Sequence, residues 1–224
     1  MMLPADIQAV IFDGAGPIMR PLVQWAAAFP GLWLASEVLP GFADVPRGPV
    51  SNTGFVARMR NLAWHLFLET PSRPWLLMVD DDQIPVAETA PLFSQPYPHP
   101  IMAARYFAKN GAEAHPEDGY VGCGCLLVSR VAAEMIGPDP FTVTTGEGCE
   151  CVAFCRRAHA AGFWPKKVGA IGHRCMVDVL PSGECDYRIR FPTAAALSRH
   201  GGNANTGVLP PGEPVGLQLG GGVV

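Results

Sequence analysis

Residues 75–85 read WLLMVDDDQIP, five apolar side chains running without interruption into three consecutive carboxylates. An apolar run without alternation is the pattern of a strand buried on both faces, as in a parallel sheet. Such a strand does not normally end on like charges with nothing to offset their repulsion, so a cation that the sequence itself does not supply is expected beside Asp80, Asp81 and Asp82. In extended backbone, side chains two residues apart point the same way. Asp80 and Asp82 then converge on one site while Asp81 points elsewhere. Paired carboxylates of this kind suit a hard divalent cation, Mg2+ or Mn2+, which completes its shell with water and substrate phosphates. The same residues read equally as a solvated turn or as a helix N-cap before Pro85.

The flanking sequence sets this strand in an alternating pattern. IQAVIF at 7–12 is a short apolar run stopped by DGAGP, a strand and a turn. A helix over 22–29 and a short strand at 32–34 follow, then a Pro/Gly loop at 40–49. Phe55, Met59, Leu62 and Leu66 recur at spacings of four and three, an amphipathic helix that ends before Pro71. Beyond the aspartates, PIMAARYF predicts a strand, GYVGCGCLLVS a strand or hairpin, 131–136 a helix closed by Gly137, 151–161 a helix closed by Gly162, and VGAIGH at 168–173 a last strand. Strands alternating with helices imply an α/β sheet covered on both faces, whose ligands bind beyond the carboxyl ends of the strands. Asp80 to Asp82 lie at such an end.

The chain of 224 residues, 49% hydrophobic and 16% charged, is sized for one core-rich domain, expected over 1–192. Residues 193–224 are so rich in Gly and Pro that a mobile tail is expected there. A net charge of -4 and the lack of any Lys/Arg run argue against nucleic-acid or anionic-membrane partners. No stretch is long and apolar enough for a transmembrane segment, and the N-terminus has no secretory pattern. Seven scattered cysteines do not resemble a disulfide framework. A cytoplasmic protein with reduced thiols is expected.

Taken in order, ARMRNLAWHLFLE, WLLMVDDDQIP, PIMAARYFAK, VGCGCLLVSRVAAEMIG with DPF behind it, GEGCECVAFCRRAHAAGF and VGAIGH resemble the family 2 type of GT-A glycosyltransferase, above all its compact bacterial and phage-like members. The resemblance covers most of residues 5–175. It implies a GT-A fold, a Rossmann-like, mostly parallel mixed sheet in a single domain, and transfer of a sugar from a nucleoside-diphosphate sugar to an acceptor hydroxyl with Mn2+ or Mg2+. Asp80 and Asp82 match the family's DxD motif, Asp81 lies within it, and His173 matches a third metal ligand. Asp13 falls near the nucleotide pocket, and Arg60 and Asn61 match an Arg-Asn pair on the preceding helix. The chemistry is coherent: a cation offsets charge on the departing diphosphate, and a carboxylate takes the acceptor's proton.

One position departs from the pattern. Alignment on Phe154 and Cys155 sets Glu150 at the family's Glu and Cys151 at the Asp that serves inverting members as base. A thiol with an ordinary pKa of about 8.5 is no substitute for a carboxylate. Glu150 is therefore the candidate base and Glu147 the second choice, although both also read as favourable charge at a helix N-terminus. The other outcome is a degenerate GT-A domain that binds a nucleotide sugar or a partner without catalysis. A nucleotidyltransferase would use the same sheet and aspartates. AVIFDGAG imitates a dehalogenase-type phosphatase motif but has Ala15 where that motif needs a second Asp. Zinc on Cys123/Cys125 and Cys149/Cys151, with His159 or His173, meets spacings of one residue where two to four are usual. Cys123 and Cys125 could instead share a strand face and fill space.

Overall fold

The computed structural model describes residues 2–12, 20–38, 52–95, 98–107, 112–179 and 185–190. Asp13, the 40–49 loop and the 193–224 tail lie outside them. The elements in chain order are β1 (Ile7–Phe12), α1 (Arg20–Ala26), β2 (Trp33–Leu34), α2 (Ala35–Val38), α3 (Asn52–Glu69), β3 (Trp75–Asp80), β4 (Gln83–Ile84), β5 (Ile101–Arg105), β6 (Cys125–Ser129), α4 (Arg130–Ile136), α5 (Glu150–Ala160), β7 (Lys166–Ala170), β8 (Gly172–Val179) and β9 (Cys185–Arg190). A 3-10 turn spans Ala87–Leu92.

Six strands form one sheet in the order β2-β1-β3-β6-β5-β7. Only β6 is antiparallel to its neighbours, so the α/β sheet is mixed and mostly parallel, as expected. Period-two alternation splits the core in two. Val10, Phe12, Leu76, Met78, Leu126 and Val128 face α3, α4 and α5. Ile7, Ile11, Leu77, Val79, Leu127 and Met102 face Leu22, Ala26 and Phe29 on the α1 side. Helices thus cover both faces, and Asp80, in step with Leu76 and Met78, belongs to the α3 and α5 side.

The buried stripe of α3 is rotated from the expected one. Of the expected stripe Met59 is buried, but Phe55, Leu62 and Leu66 pack only at its shoulders, and Trp64 and Phe67 are fully buried in their place. The reason is bulk: Trp64 meets the rings of Phe141 and Phe154 edge-on at 5.8 and 6.0 Å and donates its indole N–H to Gly137 O at 3.0 Å. That rotation carries Arg60 into the interior. The far end of α3 is clamped by Arg130, whose guanidinium donates to Phe67 O and Thr70 O at 2.9 and 2.8 Å, adding to the backbone bonds these carbonyls accept from Thr70 N–H and Ser72 N–H.

Two sequence expectations are corrected. The last strand expected over 168–173 is broken at Ile171: β7 completes the large sheet, while β8 leaves it and joins β4 and β9 in a second, three-stranded antiparallel sheet. Cys123 and Cys125 do not share a strand face, because residues 123–124 form a turn before β6; Cys123 enters one core and Cys125 the other.

The break at Ile171 is pinned from several sides. Ile171 N–H donates to Arg105 O at 2.8 Å and Thr89 Oγ1 to Ala170 O at 2.8 Å. Gly169 has φ +68, and a Cβ there would collide with the Glu88 carbonyl oxygen, so a side chain is excluded by conformation and by space. Gly169→Ala is expected to cost at least roughly 1–3 kcal/mol through backbone strain alone, read as a lower urea midpoint with an unchanged slope.

Candidate functional site

The end of β3 answers the question posed by its aspartates. Asp80 pairs with Phe12 across β1, and its N–H donates to Gly124 O at 2.9 Å. From α3, Arg60 Nη2 reaches both Asp80 carboxylate oxygens at 2.8 and 2.9 Å. Asp80 therefore has a cation from the chain itself, which corrects the expectation that its counter-charge comes from outside the sequence. Arg60 is 1% exposed, with its guanidinium 5.1 Å from the Phe12 ring and 6.0 Å from the Phe141 ring. Its Nε and Nη1 meet no acceptor among the described residues. Burial disfavours the Arg60 charge, yet the Asp80 carboxylate beside it holds that charge more firmly than usual. Burial, seconded by the Asp82 and Glu150 charges, pushes the Asp80 carboxyl up to about 6 against the pull of Arg60. With 28% of its side chain still open, Asp80 is an ionised group at the lip of a dense core at neutral pH.

Asp82 finds a different partner, through the second sheet. Pairing of β4 with β8 sets Gln83 opposite His173, and Arg174 N–H donates to Asp82 O at 2.8 Å. His173 Nε2 then lies 3.1 Å from Asp82 Oδ2, while its Nδ1 contacts Phe107 O at 3.0 Å. A carbonyl accepts only, so Nδ1 carries a proton and Nε2 is the nitrogen that faces the carboxylate. Nε2 must then hold a second proton or a metal ion. Burial lowers the His173 pKa, but the hydrogen bond that Asp82 accepts from it and the charge of that carboxylate outweigh this, for a net rise.

These groups form one cluster. Gln83 Nε2 donates to Asp82 Oδ1 at 3.1 Å, and a Cβ on Gly124 would stand 2.9 Å from Gln83 Nε2 and 3.3 Å from Asp80 Oδ2. Glycine at 124 thus lets Gln83 and Asp80 approach each other. Asp81 lies in the turn between β3 and β4, half-buried.

Glu150 opens α5, and its charge acts on both Arg60 and Asp80. Cys151, 5% exposed, donates its thiol to Glu150 Oε1 at 3.6 Å. Glu147 is engaged elsewhere. Oε2 accepts from Thr144 N–H at 2.6 Å and Oε1 lies 3.6 Å from Arg157 Nη1, and these contacts, the Thr144 amide first, lower its pKa. Asn61 is likewise spent on architecture. Its Oδ1 accepts from Phe141 N–H and its Nδ2 donates to Thr142 Oγ1, both at 2.9 Å. The structure therefore brings Arg60, Asp80, Asp82, His173 and Glu150 together, with Gln83 and Gly124 as members the sequence reading missed. Gln83 follows the DDD run directly, and that position was the available signal.

A shallow groove of about 470 Å3 lies at the opposite end of β3, against Trp75 and Ser129, away from all of these groups.

Two outcomes follow. Asp80→Asn leaves a buried guanidinium without its counter-charge and is expected to cost about 3 kcal/mol, with much of the loss recovered when Arg60→Met is added, as a double-mutant cycle in urea would read. His173 holds its proton more tightly folded than unfolded. Its contribution is therefore whole below the ordinary value of 6.5 and is lost as pH rises through the raised one. Thermal melts from about pH 6 to about pH 8 should fall more steeply for wild type than for His173→Gln.

No protein-family profile matches this sequence, and no curated protein sequence does. Among the described residues no helix is long and apolar enough to cross a membrane. Among solved structures the chain is similar to A197 from STIV, with 15% identity and a TM-score of 0.47 over 80% of this chain and 93% of that one.

Proposed function

We propose that the protein is a metal-dependent glycosyltransferase of the GT-A type that takes a nucleoside-diphosphate sugar as donor and a hydroxyl as acceptor. The observation that carries the reading is the Asp82–His173 pair at the carboxyl end of β3, with the His173 tautomer fixed by Phe107 O. Adjacent ligands of an octahedral Mg2+ or Mn2+ at about 2.1 Å stand roughly 3 Å apart, and the Asp82 Oδ2 to His173 Nε2 separation is 3.1 Å. The donor set fits the ion. Carboxylate and imidazole would hold it, with Asp80 at the same lip.

A cation bound there supplies charge stabilisation for the departing diphosphate. The chain's own residues do the rest. Phe107 O orients His173, Gln83 orients Asp82, and Arg60 keeps Asp80 ionised and in place. Glu150, beside Arg60 and Asp80, is the carboxylate suited to accept the acceptor's proton. Cys151 is unsuited to it, since side-chain hydrogen bonds with Cys123 and Cys149 that favour its protonated form, and then burial, push its thiol well above the usual range. That departure also supports a second reading, a GT-A domain that binds a nucleotide sugar without transferring it.

Melting curves with UDP, GDP, CDP and dTDP sugars, with and without Mn2+, test the proposal. A donor at about a hundred times its Kd should add roughly 2.7 kcal/mol of stability only when the metal is present. His173→Ala and Asp82→Asn should remove the effect, and a shift that survives EDTA would overturn the metal-bridged site. Glu150→Gln should abolish transfer and leave donor binding nearly unchanged. Wild-type protein that binds donor with metal, but transfers only after Cys151→Asp, would favour the binding domain.

A further inference from the structure

A second group of ligand atoms lies at the start of α5, built from softer chemistry. His115, Cys149 and Cys151 bring an imidazole nitrogen and two sulfurs within 4.8 Å of one another. The Cys149 Sγ to His115 Nε2 distance is 3.6 Å. Ligands at about 2.3 Å for sulfur and about 2.0 Å for nitrogen around a tetrahedral Zn2+ stand roughly 3.6 Å apart, so this edge already has the length the ion requires.

The pair of sulfurs is created by a corner. Cys149 is extended, with φ -150 and ψ 167, at the N-cap of α5, and Cys151 lies in the first helical turn. One intervening residue therefore suffices where an extended or helical run would need more. His115 comes from far along the chain and has φ +52, a left-handed conformation costly for a residue with a Cβ. Its ring meets Cys149 from there. Cys151 Sγ also accepts from Cys123 N–H at 3.2 Å, the kind of amide contact that supports a negative sulfur.

We propose that His115, Cys149 and Cys151 form a binding site for a thiophilic divalent cation, Zn2+ in the first place, separate from the oxygen-rich site at Asp82 and His173. Three protein ligands leave the fourth tetrahedral position open, the arrangement of sites whose metal stays accessible. The ion would tie the 112–118 segment to the first turn of α5, next to Glu150. Cys149 and Cys151 are one of the two cysteine pairs weighed on sequence grounds, but the histidine is His115 and the other pair takes no part. His159 contacts Gly119 O at 2.9 Å and stacks on Trp164, His173 faces Asp82, and Cys125 is in the other core.

The test uses the full chain, reduced and stripped with chelator, titrated first with Co2+ as a spectroscopic probe and then with Zn2+. One equivalent of Co2+ should give a thiolate-to-cobalt charge-transfer band with the visible bands of a tetrahedral site, and Zn2+ should displace it. His115→Ala and Cys149→Ser, both at partly exposed positions, should weaken binding by at least about tenfold, while Asp82→Asn and His159→Ala bind as wild type. Should His115→Ala lose its fold, His115→Asn, which tolerates the left-handed backbone, gives the same reading. Co2+ that binds without a charge-transfer band, no binding at all by the reduced protein, or unchanged affinity in the His115 and Cys149 variants would each overturn the proposal. Loss of Zn2+ in Asp82→Asn instead would assign the ion to the oxygen site. The donor shift with Mn2+ depends on other residues, so the two proposals fail independently.

Discussion

The contact on which the rest depends is the one between Arg60 and Asp80. A guanidinium does not lose its proton in a protein, so burying one commits the fold to a carboxylate beside it. Arg60 is carried inward by the same rotation of α3 that seats Trp64 between Phe141 and Phe154. The packing of the aromatic core and the charge at the end of β3 are therefore one event. The remaining aspartates inherit the consequence: with Asp80 fixed, the turn at 81–82 directs Asp82 toward the second sheet, where β8 presents His173.

Much of the scaffold was legible because it follows from periodicity. The apolar runs of β1 and β3, the 3.6-residue repeat of α3, and the glycine that closes α4 all have local causes. Three features had none. The direction of β6 cannot be read from CLLVS, since a strand buried on both faces gives the same pattern whichever way it runs. The interior position of Arg60 was hidden because a single charge on a helical wheel normally marks the wet side, and only the size of Trp64 overrides it. The break at Ile171 was also missed, because VGAIGH is apolar throughout and its cause, the collision between Gly169 and the Glu88 carbonyl, joins segments some eighty positions apart.

The candidate site divides along similar lines. Convergence of Asp80 and Asp82 was argued from extended backbone, yet they come near each other across a turn, through Gln83 and the gap left at Gly124. Glu147 and Glu150 look equivalent in GEGCECV. Three dimensions separate them: one is bound to the Thr144 amide and Arg157, the other stands beside Arg60 and Asp80. The His115 contact with Cys149 spans a sequence separation of 34 and had no sequence signal at all.

The departure of β8 from the large sheet means that Asp80 belongs to one sheet while Asp82 and His173 are fixed by pairing in the other. An occupant shared by all three spans a seam. Free energy gained by filling that position is then also cohesion between the sheets, and by reciprocity anything that tightens the seam raises affinity by the same factor. The hairpin of β8 and β9, with His173 paired to Arg190 at its near end, is in this sense a lever on the site. A substitution toward its far end, touching no ligand, would register as a change in binding strength.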